Sequence, residues 1–142
     1  MGASEPFNVA VVGAGPAGLA VGRALKSHGI AFEIFEKHSD VGGIWDMENP
    51  GSPMYRSAHF ISSKTKSGFS GYPMPDSYPD YPSNGQILAY VRAFARDAGL
   101  AAHIHFSAEV KHAERVRSGW KLQVGKSEVR DFTHLVAAPG TN

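Results

Sequence analysis

Residues 8–36 read NVAVVGAGPAGLAVGRALKSHGIAFEIFE, and their reading decides the fold. An apolar run, Val9 to Val12, ends in Gly13-Ala14-Gly15-Pro16-Ala17-Gly18. A helical pattern follows from Ala17 to Ser27, and His28-Gly29 ends it, with Gly29 suited to a left-handed cap. A second apolar run, Ile30 to Phe35, ends in Glu36. Strand, glycine turn, helix, strand and acid in this order make the βαβ unit that holds a dinucleotide. Gly13 turns the chain sharply off the strand, Gly15 leaves room for a pyrophosphate against the backbone, and Gly18 lets the helix lie close to the sheet. Pro16 occupies the first helical turn, where its missing N–H costs nothing. That turn offers free N–H groups and a partial positive charge to phosphates. Glu36, 18 residues after Gly18, is placed to accept both ribose hydroxyl protons. Leu19, Ala20, Ala24 and Leu25 fall towards one face of the helix. The nearly all-apolar second run fits a parallel strand covered on both faces.

The 142 residues leave room for one domain, taken as 1–142. Apolar content of 42% and charged content of 19% are those of an ordinary globular protein, and the net charge of +1 gives no pull towards nucleic acid or a membrane surface. The absence of cysteine excludes disulfides, thiolate metal sites and CxxC redox centres. No signal peptide is read at the start. No apolar run approaches the ~20 residues of a membrane span, so a cytoplasmic setting is expected.

Beyond Glu36, residues 37–53 form a loop with two more glycines, Asp40-Val41-Gly42-Gly43-Ile44-Trp45. Its N–H groups can reach the same diphosphate, with Trp45 packing beside the ligand. Residues 54–82 are aromatic and proline-rich with little regular pattern, a segment laid across a surface by its rings or forming a wall of the site. Ser83 and Gln86 fit a capping box for a helix over 84–98 with the apolar stripe Ile87, Leu88, Val91, Phe94 and Ala95, stopped by Gly99. Short strands are predicted at Ile104 to Phe106, Glu109 to Val116, Trp120 to Val124, Glu128 to Phe132 and His134 to Ala138. Ser118-Gly119 and Gly125-Lys126 mark hairpin turns. Val9–Val12, Ile30–Phe35, Ile104–Phe106 and Leu135–Ala138 are expected as parallel neighbours, and 109–132 as an antiparallel meander. His103 and His105 alternate on a strand, but no third ligand stands at a recognisable spacing, so no metal is expected.

These motifs together resemble the N-terminal part of class B flavin monooxygenases, the flavin-containing and Baeyer–Villiger type. GAGPAG at Gly13 to Gly18, Glu36, Gly42-Gly43-Ile44-Trp45, Ser63-Lys64 with Phe69 to Pro75, Trp120, and the strand ending Ala138-Pro139-Gly140 carry the resemblance, which spans essentially the whole chain. GGxW after the acid is the discriminating motif. Two positions depart from the family pattern: Phe60-Ile61 stands where the family has Thr-Asn, and Ala138-Pro139-Gly140 where it has Ala-Thr-Gly.

The resemblance implies a Rossmann-like, FAD-binding α/β fold: a parallel sheet, flanking helices and a small antiparallel β-meander. It implies that FAD binds the first glycine motif, that NADPH reduces the flavin, and that the reduced flavin activates oxygen to oxygenate a small organic substrate. The cofactor-binding residues are then Gly13, Gly15, Pro16, Ala17, Gly18, Glu36, Lys37, Gly43, Ile44 and Trp45, with Ser63 and Lys64 near the flavin edge. No general base or nucleophile is read, because the chemistry is the cofactor's. The family's NADPH-binding domain has no counterpart in these residues, so the chain is expected to be a part that does not act alone. The remainder of the enzyme or a second copy is a further expected partner. Two other readings stay open on the residues alone: a stand-alone nucleotide-binding module, and a non-catalytic homologue that keeps the fold.

Overall fold

A computed structural model describes residues 6–141. Its centre is β1 (Asn8–Val12), paired in parallel with β2 (Ala31–Phe35) on one side and with β7 (His134–Ala137) on the other. The two-residue β3 (Ile104–His105) extends the sheet beyond β2, giving the order β3-β2-β1-β7. The four predicted parallel neighbours are therefore the ones found, with ends that differ by one residue: β1 gains Asn8, β2 loses Ile30, β3 loses Phe106 and β7 runs from His134 to Ala137. Phe106 and Ala138 fall just outside their strands.

Alternation along β1 and β2 decides what each face of the sheet buries. Val9, Val11, Phe32 and Ile34 point into one cluster with Leu19 of α1 (Pro16–Ser27) and Ile87, Val91 and Phe94 of the helix over Asn84–Asp97. Ala10 and Phe35 point the other way, onto Leu122, Val124 and Phe132 of the antiparallel meander. That meander is β4 (Val110–Val116), β5 (Gly119–Val124) and β6 (Glu128–Phe132) in sequential order. The result is three layers, with both long helices on one face and the meander on the other.

The one charge in the nearly all-apolar β2 has a structural purpose. Glu33 lies on the meander face, where Arg130 Nη2 donates to its two carboxylate oxygens at 2.8 and 2.6 Å. His105 Nε2 stands 2.7 Å from the same carboxylate. Arg130 also lies over the rings of Phe35 and Phe132. Burial pushes the Glu33 carboxyl up, but the hydrogen bonds from Arg130 and His105 outweigh it and hold the group below its ordinary value.

Helix α1 meets the sheet through a ridge of small residues rather than through its alanines. Gly18, Leu19 and Gly22 are buried, whereas Ala24, predicted to face the sheet, is exposed. A Cβ on Gly22 would lie 2.9 Å from Ile34 Cδ1, so the glycine pair fixes which stripe faces inwards. In the meander, Gly119 was read as part of a turn, yet it pairs with Val116 as the first residue of β5. The turn is Arg117-Ser118. Gly119 adopts φ 145°, and a Cβ there would lie 2.2 Å from the Phe132 carbonyl oxygen.

Residues 54–82 hold a single helical turn, α2 (Lys64–Ser67), and otherwise cross the surface of the second long helix, α3 (Asn84–Asp97). Phe69 stacks on Phe94 with ring centroids 3.7 Å apart, and the Tyr90 hydroxyl accepts the Phe69 N–H at 2.8 Å. The capping box on α3 forms as predicted, with Ser83 Oγ accepting the Gln86 N–H and Gln86 Oε1 accepting the Ser83 N–H.

Candidate functional site

A cleft of about 360 Å³ opens at the carboxyl ends of β1, β2 and β7, the edge of an open α/β sheet where ligands bind. Gly13 forms its floor at φ 103°, and a Cβ there would lie 2.2 Å from the Ala138 carbonyl oxygen. The turn after β1 is thus pressed against the turn after β7. Gly18 is buried below the cleft, where an added Cβ would meet Gly13 O at 1.8 Å. Gly15 differs from both: it has ordinary extended backbone, and the nearest atom to an added Cβ is Gly43 Cα at 3.5 Å. The protein itself would accept a side chain at Gly15, so its bareness serves whatever enters the cleft.

Glu36 lies just past β2 and is 5% exposed. Its Oε1 accepts the Ala14 N–H at 2.8 Å, and its Oε2 accepts the His38 N–H at 2.7 Å. Both oxygens keep lone pairs, and the residue lines the cleft. The acid is therefore held rigidly against the glycine turn before any ligand arrives.

The two helix starts form a contrast. On α3 the Ser83 hydroxyl caps the Gln86 N–H and the Asn84 N–H donates to Ala58 O, whereas α1 begins at Gly15 with no side-chain cap. Its unpaired N–H groups and the positive end of its dipole face the cleft beside Pro16 and Ala17, where they suit an anion.

The second glycine turn closes over the first. Gly42 N–H donates to Ala14 O at 3.1 Å, and Gly43 to Trp45 wind into one 3₁₀ turn. Each carbonyl of that turn is held by a side-chain donor. Asn49 Nδ2 donates to Gly43 O at 3.1 Å, Ser52 Oγ to Ile44 O, and Asn84 Nδ2 to Trp45 O at 3.1 Å. In the peptide plane whose oxygen Asn49 holds, the N–H belongs to Ile44 and points the opposite way. Trp45 packs edge-on to Phe60 at 5.1 Å and borders a smaller apolar recess shared with Pro16, Phe69 and Val91.

Of the residues singled out in the sequence, Gly13, Gly15, Pro16, Ala17, Glu36, Lys37, Gly43, Ile44 and Trp45 line this one cleft. Gly18 supports it from below. Ser63 and Lys64 do not join it: Ser63 precedes α2, and Lys64 Nζ donates to the carbonyls of Asp76 and Tyr78. Sequence reasoning missed Asn49 to Ser52 and Ala138 to Thr141 as lining. Asn49-Pro50-Gly51 carried only a turn signal, and the Ala138-Pro139-Gly140 turn becomes a wall only because β7 pairs with β1 across the chain. His103 and His105 lie elsewhere, stacked on Phe32 and Phe35.

The sequence profile of a family described as flavin-binding monooxygenase-like matches residues 7–130. Among curated proteins, flavin-containing monooxygenase 5 of Oryctolagus cuniculus is 38% identical over 144 residues, covering 93% of this chain and 27% of the relative. The thiol-specific monooxygenase of Saccharomyces cerevisiae is 32% identical over 152 residues, covering 99% of this chain and 35% of the relative. The chain thus spans between about a quarter and about a third of these relatives' length. Among solved structures, S-allyl-L-cysteine S-oxygenase from Allium sativum superposes with a TM-score of 0.83 at 25% identity, over 95% of this chain and 36% of that one. A structure titled as OTEMO in complex with FAD and NADP has a TM-score of 0.85 at 23% identity, over 97% of this chain and 26% of that one, a likeness of fold.

Proposed function

Because the chain belongs to the flavin-binding monooxygenase-like family, we propose that it is the FAD-binding portion of an NADPH-dependent monooxygenase that oxygenates a small organic substrate. The observation that carries this reading is Glu36, a buried carboxylate pinned by the Ala14 and His38 N–H groups in the cleft that the uncapped start of α1 also faces. The residues fit the ADP half of FAD. Glu36 accepts the ribose hydroxyl protons and the N-terminus of α1 takes the diphosphate. Gly15 leaves the space a phosphate needs, and the Gly43 to Trp45 turn covers the other flank. Bound flavin supplies hydride acceptance and oxygen activation, and the protein supplies binding, orientation and exclusion of water.

Substrate, nicotinamide nucleotide and the remainder of an enzyme of the relatives' length are partners in this proposal. Among the described residues no helix is long and apolar enough to cross a membrane, and a cytoplasmic setting belongs to the same proposal. The test is an absorbance scan of the purified chain with and without FAD, followed by thermal melts. At FAD about 100 times its dissociation constant, the fold gains about 2.7 kcal/mol. A melting temperature indifferent to FAD refutes the reading.

A further inference from the structure

Asp46, immediately after the Gly43–Trp45 turn, is a carboxylate 3% exposed outside the lining of the cleft. A buried charge persists only when it is paired and hydrogen-bonded, and Asp46 is held from three directions. Its Oδ1 accepts the Glu48 N–H at 3.0 Å. Its Oδ2 meets His38 Nε2 at 3.1 Å and Arg92 Nη2 at 3.4 Å. Its own N–H donates to Gly43 O at 3.3 Å and so closes the 3₁₀ turn.

These contacts reach separate segments around the second glycine turn. His38 is the residue whose N–H holds Glu36 Oε2. Arg92 belongs to α3 and also pairs with Asp40 at 2.9 Å, where the glycine loop begins. Asp46 therefore ties the exit of β2, the second glycine turn and α3 into one brace. Two titratable or charged side chains and one backbone N–H converge on one buried oxygen pair.

We infer that Asp46 is a positioning residue for the nucleotide site: it holds the Gly43–Trp45 turn so that the Gly43 and Ile44 N–H groups meet the phosphates of the ligand. This inference rests on the nucleotide reading above and adds to it the residue that sets the second flank. Asp46 does not touch the ligand. Its effect passes through the turn and falls chiefly on the phosphate contacts: Asp46 touches the His38 ring, whereas Glu36 is held by the backbone N–H groups of Ala14 and His38.

The test compares ADP with adenosine on the 142-residue chain, by calorimetry for ADP and by chemical-shift titration for adenosine. Asp46→Ala weakens ADP about ten-fold and leaves adenosine within about two-fold, the pattern of a lost outer support. Asp46→Asn keeps an oxygen for the Glu48 N–H but turns an amide NH2 towards Arg92, so it recovers only part of the ADP affinity. Arg92→Met, at a half-exposed position on α3, approaches the brace from the other side. It gives the same selective loss of ADP affinity, which holds the test open if Asp46→Ala fails to fold. Equal losses for both ligands, or no loss for ADP in either Asp46→Ala or Arg92→Met, overturn the positioning role while the nucleotide reading stands. A native chain that binds neither ligand overturns the nucleotide reading and this inference together.

Discussion

The Oε1 of Glu36 accepts the N–H of Ala14 at 2.8 Å, so the acid after the second strand is bonded to the middle of the glycine turn after the first. With Oε2 on His38 N–H, the residue is at once a ligand group and a clamp between β1 and β2. Its substitution therefore has two consequences. Glu36→Ala orphans the buried Ala14 N–H, costing about 1–3 kcal/mol, leaves the part-buried His38 N–H without its acceptor, and also removes the ribose acceptor. Glu36→Gln keeps one backbone acceptor and loses less stability. Urea denaturation without ligand reads the first effect and FAD titration the second. An Ala variant as stable as the native chain contradicts the clamp.

Gly15 and Gly18 are expected to part company when each is changed to alanine. Gly15→Ala adds a methyl 3.5 Å from its nearest neighbour, and stability should change by no more than about 0.5 kcal/mol, while FAD affinity falls. Gly18→Ala puts a methyl 1.8 Å from Gly13 O, and the βαβ turn cannot close. Circular dichroism melts of the two variants, followed by FAD titration of Gly15→Ala, separate a glycine kept for the ligand from one kept for the fold.

The Glu33–Arg130 pair gives an acid-side pH dependence. The Glu33 carboxyl is lowered from 4.5 in the folded chain. The unfolded state thus takes up its proton first as pH falls, and stability rises with pH through this window. The contribution is fully present above about pH 4.5 and is lost as pH drops through the lower folded value. Partial exposure of the pair keeps it modest. Arg130→Met should flatten the stability profile below pH 4.5 and leave the slope near neutrality unchanged. A Met variant with the native acid slope removes Glu33 as its source.

The 142 residues contain one GxGxxG, at Gly13 to Gly18. On the reading proposed above, that site is filled by FAD, and these residues offer no second strand–glycine–helix unit for a nicotinamide. Anaerobic mixing of the FAD-loaded chain with NADPH should bleach the flavin no faster than free FAD is bleached. Saturable, rapid bleaching reveals a nicotinamide site among these residues.

The fold was legible where periodicity and punctuation agreed. The β1–α1–β2 unit, the capped α3 and the three-stranded meander all follow from apolar runs bounded by glycine or by Ser83 and Gln86. What escaped depends on partners distant in the chain. Glu33 looked like an interruption in an apolar strand, and its meaning appears only when Arg130 arrives 97 residues later. Gly22 carries no turn signal; the Phe32 and Ile34 side chains beneath it explain its presence. In the site, the glycines and Glu36 were readable because each has a local geometric reason. Asn49, Asp46 and the 138–141 wall were not, because their roles arise from which carbonyl, charge or strand end the tertiary structure brings to them.

The pairing of β7 with β1 bears on how this chain can be made. Thr133 Oγ1 accepts the Asn8 N–H at 2.8 Å across 125 residues of sequence, and Ala138 N–H donates to Val12 O at 2.9 Å. The first strand therefore remains half-paired during synthesis until almost the last residue of this stretch has left the ribosome. Such long-range closure is slow and leaves an apolar edge open to other chains. Closure of this sheet thus waits for residues 133–138, and a nascent chain stopped before residue 133 leaves the β7 side of the strand that carries Val9 and Val11 unpaired, where a chaperone can hold it.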